Sequence, residues 1–227
     1  MAAAVLDVRV KAAGVVLIDV AHTPAAPQEV KSLVGTCIDL RTDAKGISKK
    51  YETVVSAHCK QLFPPELYEN TVCLNIHPGF NPETRGWFPQ VWGILYGLKV
   101  GMTVHVIDGQ LDHGAIIDRI EVPAHLWDTS ESLYNRILDV EATWIGSNLI
   151  RIVNGEFSAY PMIEEGNLFK KADFSEQCKL DLHEVASFRQ FYDRLRALSF
   201  KGFRNAYFVD PSSGRKVYVS LNVDPDF

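Results

Sequence analysis

Short apolar runs rich in β-branched residues, alternating with stretches of helical spacing, constrain this chain most. Gly14-Val-Val-Leu-Ile-Asp-Val20, Thr53-Val-Val-Ser56 and Thr71-Val-Cys-Leu-Asn-Ile76 read as strands buried on both faces, as in a mostly parallel sheet. Between them His22 to Pro27 reads as a loop and Pro64 to Tyr68 as a short helix. Val91, Ile94, Leu95 and Leu98 recur at helical spacing within Phe88 to Leu98, and Pro89 stands where a first turn tolerates it. Met102 to Ile107 and Ala115 to Val122 read as a strand pair. Asp128 or Thr129 caps a helix running to about Val153, closed by Gly155, with Leu133, Ile137, Val140, Trp144, Ile145, Leu149 and Ile152 facing inward.

Past that helix the pattern changes. Glu164 to Phe174 is polar and reads as a surface loop, His183 to Ser199 as an amphipathic helix, and Asn205 to Asp210 with Arg215 to Val223 as a hairpin around Pro211-Ser-Ser-Gly214. The expectation is an α/β fold: a mostly parallel, Rossmann-like sheet flanked by helices over 1–155, then a small helix and β-hairpin subdomain over 156–227. At 227 residues and 47% apolar, the chain can bury one substantial core.

A net charge of −5 gives no general attraction to nucleic acid or anionic membrane, so an anionic ligand requires a local cluster of Lys and Arg. No apolar run approaches a membrane span, and the first ten residues do not read as a signal peptide; a cytoplasmic location is expected. Four well-separated cysteines, with no Cys-x-x-Cys pair, suit a reducing compartment. His58 and Cys59, with Cys73 and His77, invite a metal reading, but structural zinc sites use closer ligand pairs, so no metal is expected. The absence of a Gly-x-Gly-x-x-Gly after the first strand argues against a nicotinamide enzyme.

Asn75 and His77 lie two residues apart at a strand end and project from one face; Asp112 follows about 35 residues later in Asp108-Gly-Gln-Leu-Asp-His-Gly114. Alone, an Asn-x-His pair more often ties off a turn than catalyses. The set resembles that of the folate-dependent formyltransferases, in which an Asn-x-His-Pro strand end meets a later Asp-x-Gly loop over the formyl group. Asn75-Ile-His-Pro-Gly-Phe-Asn-Pro-Glu-Thr-Arg-Gly-Trp-Phe-Pro-Gln90 resembles the sugar N-formyltransferases acting on dTDP-linked amino sugars.

That resemblance implies transfer of a formyl group from 10-formyltetrahydrofolate to the amine of a dTDP-linked sugar, with the 4-amino-4,6-dideoxyglucose form first, in making surface glycans such as O-antigen. Asn75 would donate to the oxyanion, His77 would carry a proton, and Asp112 would orient His77. Leu62, Asp108, Gln110 and Leu111 would face the folate. Lys60, Arg85, Gly86, Trp87, Arg196, Asn205 and Tyr207 would face the nucleotide sugar, with Lys60 on a phosphate or a folate carboxylate and Trp87 under the hexose; a solvated surface role competes for Lys60, and packing roles compete for Trp87 and Tyr207. The C-terminal helix and hairpin would pair two copies into a homodimer. Only about 50 residues precede the His58-Cys-Lys60 loop, so the first strand and helix are expected to be abbreviated. The rival readings are a formyltransferase acting on a purine ribonucleotide, an aminoacyl-tRNA or the 3-amino sugar isomer, and a non-catalytic folate- or nucleotide-binding homologue.

Overall fold

A computed structural model describes residues 3–9, 14–19, 36–38, 40–58 and 60–226. The strands are β1 (Ala3–Arg9), β2 (Gly14–Asp19), β3 (Thr36–Ile38), β4 (Thr53–Ala57), β5 (Val72–His77), β6 (Arg85–Gly86), β7 (Gly101–Val106), β8 (Ile116–Glu121), β9 (Leu168–Phe169), β10 (Tyr207–Val209) and β11 (Lys216–Tyr218). The helices are α1 (Leu40–Lys50), α2 (Pro65–Tyr68), α3 (Pro89–Tyr96), α4 (Ser130–Val153), α5 (Lys171–Cys178) and α6 (Phe188–Leu198).

Seven strands form one sheet in the order β3-β1-β2-β4-β5-β7-β8. The α/β class holds, but the sheet is mixed rather than mostly parallel. Only the β2–β4 and β4–β5 pairings are parallel; β7 runs against both β5 and β8, and β1 against both β2 and β3. Long apolar runs report burial on both faces, and a central antiparallel strand leaves the same signature.

Alternation along β4 and β5 divides the core. Val55, Ala57, Leu74 and Ile76 join Met102 and Val104 beneath Trp144, Ile145 and Ile152 of α4. Val54 and Cys73 point the other way, onto Leu40, Ala44 and Ile47 of α1, and Leu67 of α2. Burial pushes the Cys73 thiol up to about 12, which keeps it unreactive. The 24 residues of α4 extend about 36 Å. Thr129 opens the helix by accepting from Ser132 N, and Gly155, at φ +71, follows its end.

The C-terminal segment packs onto this core. Ala197 of α6 joins Val91, Trp92 and Ile94 of α3, and Leu133 and Ile137 of α4. Helix α6 begins at Phe188 rather than near His183, because Ser187 and Gln190 form a reciprocal capping box there. The stretch Glu164 to Phe174, expected as a loop, contains β9 and the start of α5. A two-residue strand held by a distant partner leaves no periodicity to read. The expected strand at Gly14 and the C-terminal hairpin are present. The loop expected from His22 to Pro27 lies outside the described residues, as does Cys59.

Candidate active site

Strand β5 ends in Asn75-Ile-His77, and its antiparallel neighbour β7 sets His105 opposite Asn75 and Thr103 opposite His77. Asp112 comes to this junction from the loop after β7, with φ +46, a left-handed conformation that Asp tolerates better than most residues. One carboxylate oxygen accepts from Asn75 Nδ2 at 3.2 Å and lies 3.5 Å from His105 Nε2. The other accepts from Gly86 N at 3.0 Å and lies 3.6 Å from His77 Nδ1. Asn75, His77 and Asp112 are therefore brought together, with His105 as a fourth member.

Burial opposes charge on Asp112, yet the His77 and His105 imidazoles and the Gly86 N–H hold its carboxyl well below the usual carboxylate range. It is a fixed anion. Burial pushes the His77 imidazole down, and Asp112 pulls in the opposite direction. The His77 Nε2–H donates to Thr84 O at 3.1 Å, which leaves Nδ1 on the Asp112 side. The His105 Nδ1–H donates to Val106 O, so Nε2 can accept from Asn75 Nδ2 at 3.3 Å. The Asn75 Nδ2 edge is thus aimed by Asp112 and His105, while Oδ1 is buried without a hydrogen-bond partner.

The loop between β5 and β6 is bolted down by small polar groups. Thr103 Oγ1 donates to Gly79 O and accepts from Asn81 N, and Thr84 Oγ1 accepts from Phe80 N. Asn81 Nδ2 donates to Asp112 O at 2.9 Å, joining this loop to the carboxylate's own backbone. At Gly79 a Cβ would lie 2.4 Å from both His77 Nε2 and Thr84 O, so any side chain would displace the ring.

Arg85 is buried, and its guanidinium donates twice to Leu111 O and, through Nη1, to Glu165 O. As placed, it clamps the loop preceding Asp112 instead of reaching toward a ligand. Gly86, at φ +87, pairs with Phe169 in the short parallel β6–β9 ladder; a Cβ there would lie 2.2 Å from Phe169 O. Trp87 is half-buried with Lys171 Nζ 4.0 Å over its ring. Lys60 stands at the surface but is crowded: partial desolvation, and then the Lys171 ammonium, push its own ammonium down. Two cations and an indole face thus gather beside the carboxylate loop.

Leu62 is 74% exposed and Leu111 37% exposed. Their loops are adjoined through Phe63, Tyr68 and Ile107, and Gly109 sits where a Cβ would strike the Tyr68 hydroxyl at 2.6 Å. Asp108 turns its loop by accepting from Gln110 N and pairing with His113. Two apolar side chains held out on adjoining loops suit a flat, partly apolar ring.

Three of the expected contacts are committed elsewhere. Arg196 is buried and donates to His125 O and Asp128 O, fastening α6 to the entrance of α4. Asn205 Nδ2 donates to Leu198 O, and Tyr207 pairs with Tyr218 across the hairpin under Lys216. Buried polar groups need such partners, and a helix Arg gives no sequence sign of whether it will face a ligand or a carbonyl. Sequence reasoning also missed His105. Its signal is the alternation Met102-Thr-Val-His-Val106, which sends Thr103 and His105 to the same face as Asn75 and His77.

Residues 35–149 match the formyl transferase family model, and 173–225 match the N-formyltransferase dimerization C-terminal domain. The chain belongs to the formyltransferase family. A dTDP-4-amino-4,6-dideoxyglucose formyltransferase of Mycobacterium tuberculosis is 48% identical over 180 residues, which span 79% of this chain and 76% of that protein. Among solved structures, a sugar N-formyltransferase from a Shewanella species is 41% identical with a TM-score of 0.82, covering 88% of this chain and 82% of that one. A 4-N formyltransferase from Francisella tularensis is 35% identical with a TM-score of 0.81, covering 87% and 81%. This formyltransferase therefore carries the family's sheet together with the Asn75, His77 and Asp112 cluster. Among its described residues no helix is long and apolar enough to cross a membrane, and no group of three His, Cys, Asp or Glu is placed to hold a metal ion.

Proposed function

We infer that this formyltransferase moves the formyl group of 10-formyltetrahydrofolate onto the amine of dTDP-4-amino-4,6-dideoxyglucose. The 48% identity to the mycobacterial enzyme of that name, over a span that includes the whole cluster, carries the reading. The folate supplies an activated formyl carbon. Leu62 and Leu111 would hold its ring, with backbone groups from Asp108 to Leu111 along the ring's polar edge. Lys60, Lys171 and Trp87 would take the diphosphate and hexose.

Asn75 would present its Nδ2 edge to the oxygen that gains charge as the amine adds, exchanging the long contact to His105 for one to the oxyanion. Asp112 would keep that edge aimed and stabilise charge on His77, whose Nδ1 would take up the proton released by the attacking amine and deliver it to the departing nitrogen. Arg85 would act at a distance by fixing the Leu111 carbonyl, and so Asp112.

The same reading places residues 1–155 as a catalytic unit and 156–227 as a unit that pairs two copies. It places the enzyme in the cytoplasm, feeding surface-glycan synthesis. The test is incubation with 10-formyltetrahydrofolate and either dTDP-4-amino-4,6-dideoxyglucose or its 3-amino isomer, followed by mass spectrometry. Catalytic gain of one formyl group on the 4-amino sugar is expected. Gain only on the 3-amino isomer, or on neither, would refute the assignment.

A further inference from the structure

Alternation along β4 turns Val55 and Ala57 to the α4 side of the sheet and Val54 to the α1 side, so Ser56 also faces away from α4. Asn75 follows Cys73 onto that same face of β5, and the parallel register sets Ser56 directly beside Asn75. His105 stands on the other flank of Asn75, across the antiparallel β5–β7 pair. Ser56, Asn75 and His105 thus form one row across three adjacent strands, each about 4.8 Å from the next.

Two atoms in this row, Ser56 Oγ and Asn75 Oδ1, have no hydrogen-bond partner among the described residues. Both are shut off from solvent, and Ser56 as a whole is 1% exposed. Val54 and Cys73 on the same face belong to an apolar layer, where an unanswered hydroxyl is costly. The two atoms are complementary, because a hydroxyl can donate and an amide oxygen only accepts. The planar amide also fixes their relation: Nδ2 is drawn toward His105 on β7 and toward Asp112, which leaves Oδ1 for the β4 side. In the reaction inferred above the amide must pivot, since Nδ2 exchanges its 3.3 Å contact with His105 for one to the oxyanion. Oδ1 moves with it, and Ser56 is the residue in register on that flank.

We propose that Ser56 is a positioning residue for Asn75: its hydroxyl donates to Asn75 Oδ1 as Nδ2 turns to the oxyanion. The inference rests on the reading of the reaction as formyl transfer. The bond keeps the amide's nitrogen, rather than its oxygen, toward the developing charge, and it polarises the N–H that meets that charge. Because it forms only as the amide pivots, it stabilises the transition state and leaves the free enzyme as it was. Ser56 touches neither substrate and acts through Asn75 alone.

The test uses the full chain with Ser56→Ala, Ser56→Thr and Ser56→Cys, and Ser56→Ala in an Asn75→Ala background. Each is assayed by steady-state kinetics on whichever amino-sugar isomer the wild-type chain formylates, beside thermal melting. Ser56→Ala should lower kcat about tenfold while KM for folate and for nucleotide sugar stays within about twofold. Its melting temperature should not fall, since the free enzyme loses only an unpartnered hydroxyl. Ser56→Thr, which keeps the hydroxyl, should recover most of the loss, and in the Asn75→Ala background Ser56→Ala should cost nothing further. An unchanged kcat in Ser56→Ala, or a loss that persists without Asn75, overturns the proposal. So does a raised KM for folate at unchanged kcat, which would make the hydroxyl a folate contact. Should Ser56→Ala fail to fold, Ser56→Cys, with a weak donor in place of the hydroxyl, decides by the same criteria. A wild-type chain that formylates no amine overturns the underlying reading and this role with it; wild-type turnover with any of the other contrary results overturns the role of Ser56 only.

Discussion

Asn75 and His105 face each other across the antiparallel β5–β7 pair, with Asn75 Nδ2 3.3 Å from His105 Nε2. The ladder itself therefore sets the amide's direction, before any ligand arrives. Replacing His105 by Phe should leave the sheet intact yet remove one of the two acceptors that aim the amide, leaving Asp112 to hold it alone. A fall in kcat on the order of tenfold or more, with little change in melting temperature, is the expected outcome of steady-state kinetics beside calorimetry.

His77→Ala and Asn75→Ala should each lower kcat on the order of 10²- to 10³-fold while circular dichroism stays native. Near-normal turnover in either variant would remove it from the chemistry.

Gly79→Ala tests the packing beneath His77. The new methyl would lie 2.4 Å from the ring nitrogen and from the carbonyl that it donates to, so the ring must move. Loss of most activity in a folded protein is expected, and a crystal structure of the variant should show the His77–Thr84 hydrogen bond broken.

Arg85→Ala leaves the Leu111 and Glu165 carbonyls without their donor and should cost about 2 to 3 kcal/mol in urea denaturation. Because the guanidinium holds the Asp112 loop, kcat should fall as well. Arg85→Lys, a cation without the planar fork, should recover only part of either loss.

Acid sensitivity follows from Asp112. Its folded-state pKa lies below the ordinary 3.8, so its contribution to stability is complete above that value and is lost as pH falls through the folded one. Denaturation midpoints should decline from about pH 5 downward, and Asp112→Asn should flatten part of that decline.

Much of this was legible in the chain. The strands from Thr53 and Thr71, α4 with its Thr129 cap, and the placing together of Asn75, His77 and Asp112 all follow from local pattern or motif. What was not legible depends on partners distant in sequence. Arg85 and Arg196 look equally suited to an anion, yet both are spent on backbone carbonyls that only the tertiary fold brings within reach. Helix α1 lacks a strong apolar run because only Leu40, Ala44 and Ile47 need to face the sheet. The direction of β7 turns on a connection whose strand-forming residues are the same either way.

The two-residue ladder of Arg85-Gly86 with Leu168-Phe169 has an implication for anyone rebuilding this enzyme. The glycine whose N–H fixes Asp112 is itself stitched to chain that comes more than eighty residues later. A minimal catalyst cut after α4 would lack the thread that closes its own reaction centre. A chimera exchanging C-terminal parts between relatives must carry the strip from Glu165 to Phe169 with the donor of Asp112, or join two halves whose seam runs through the chemistry.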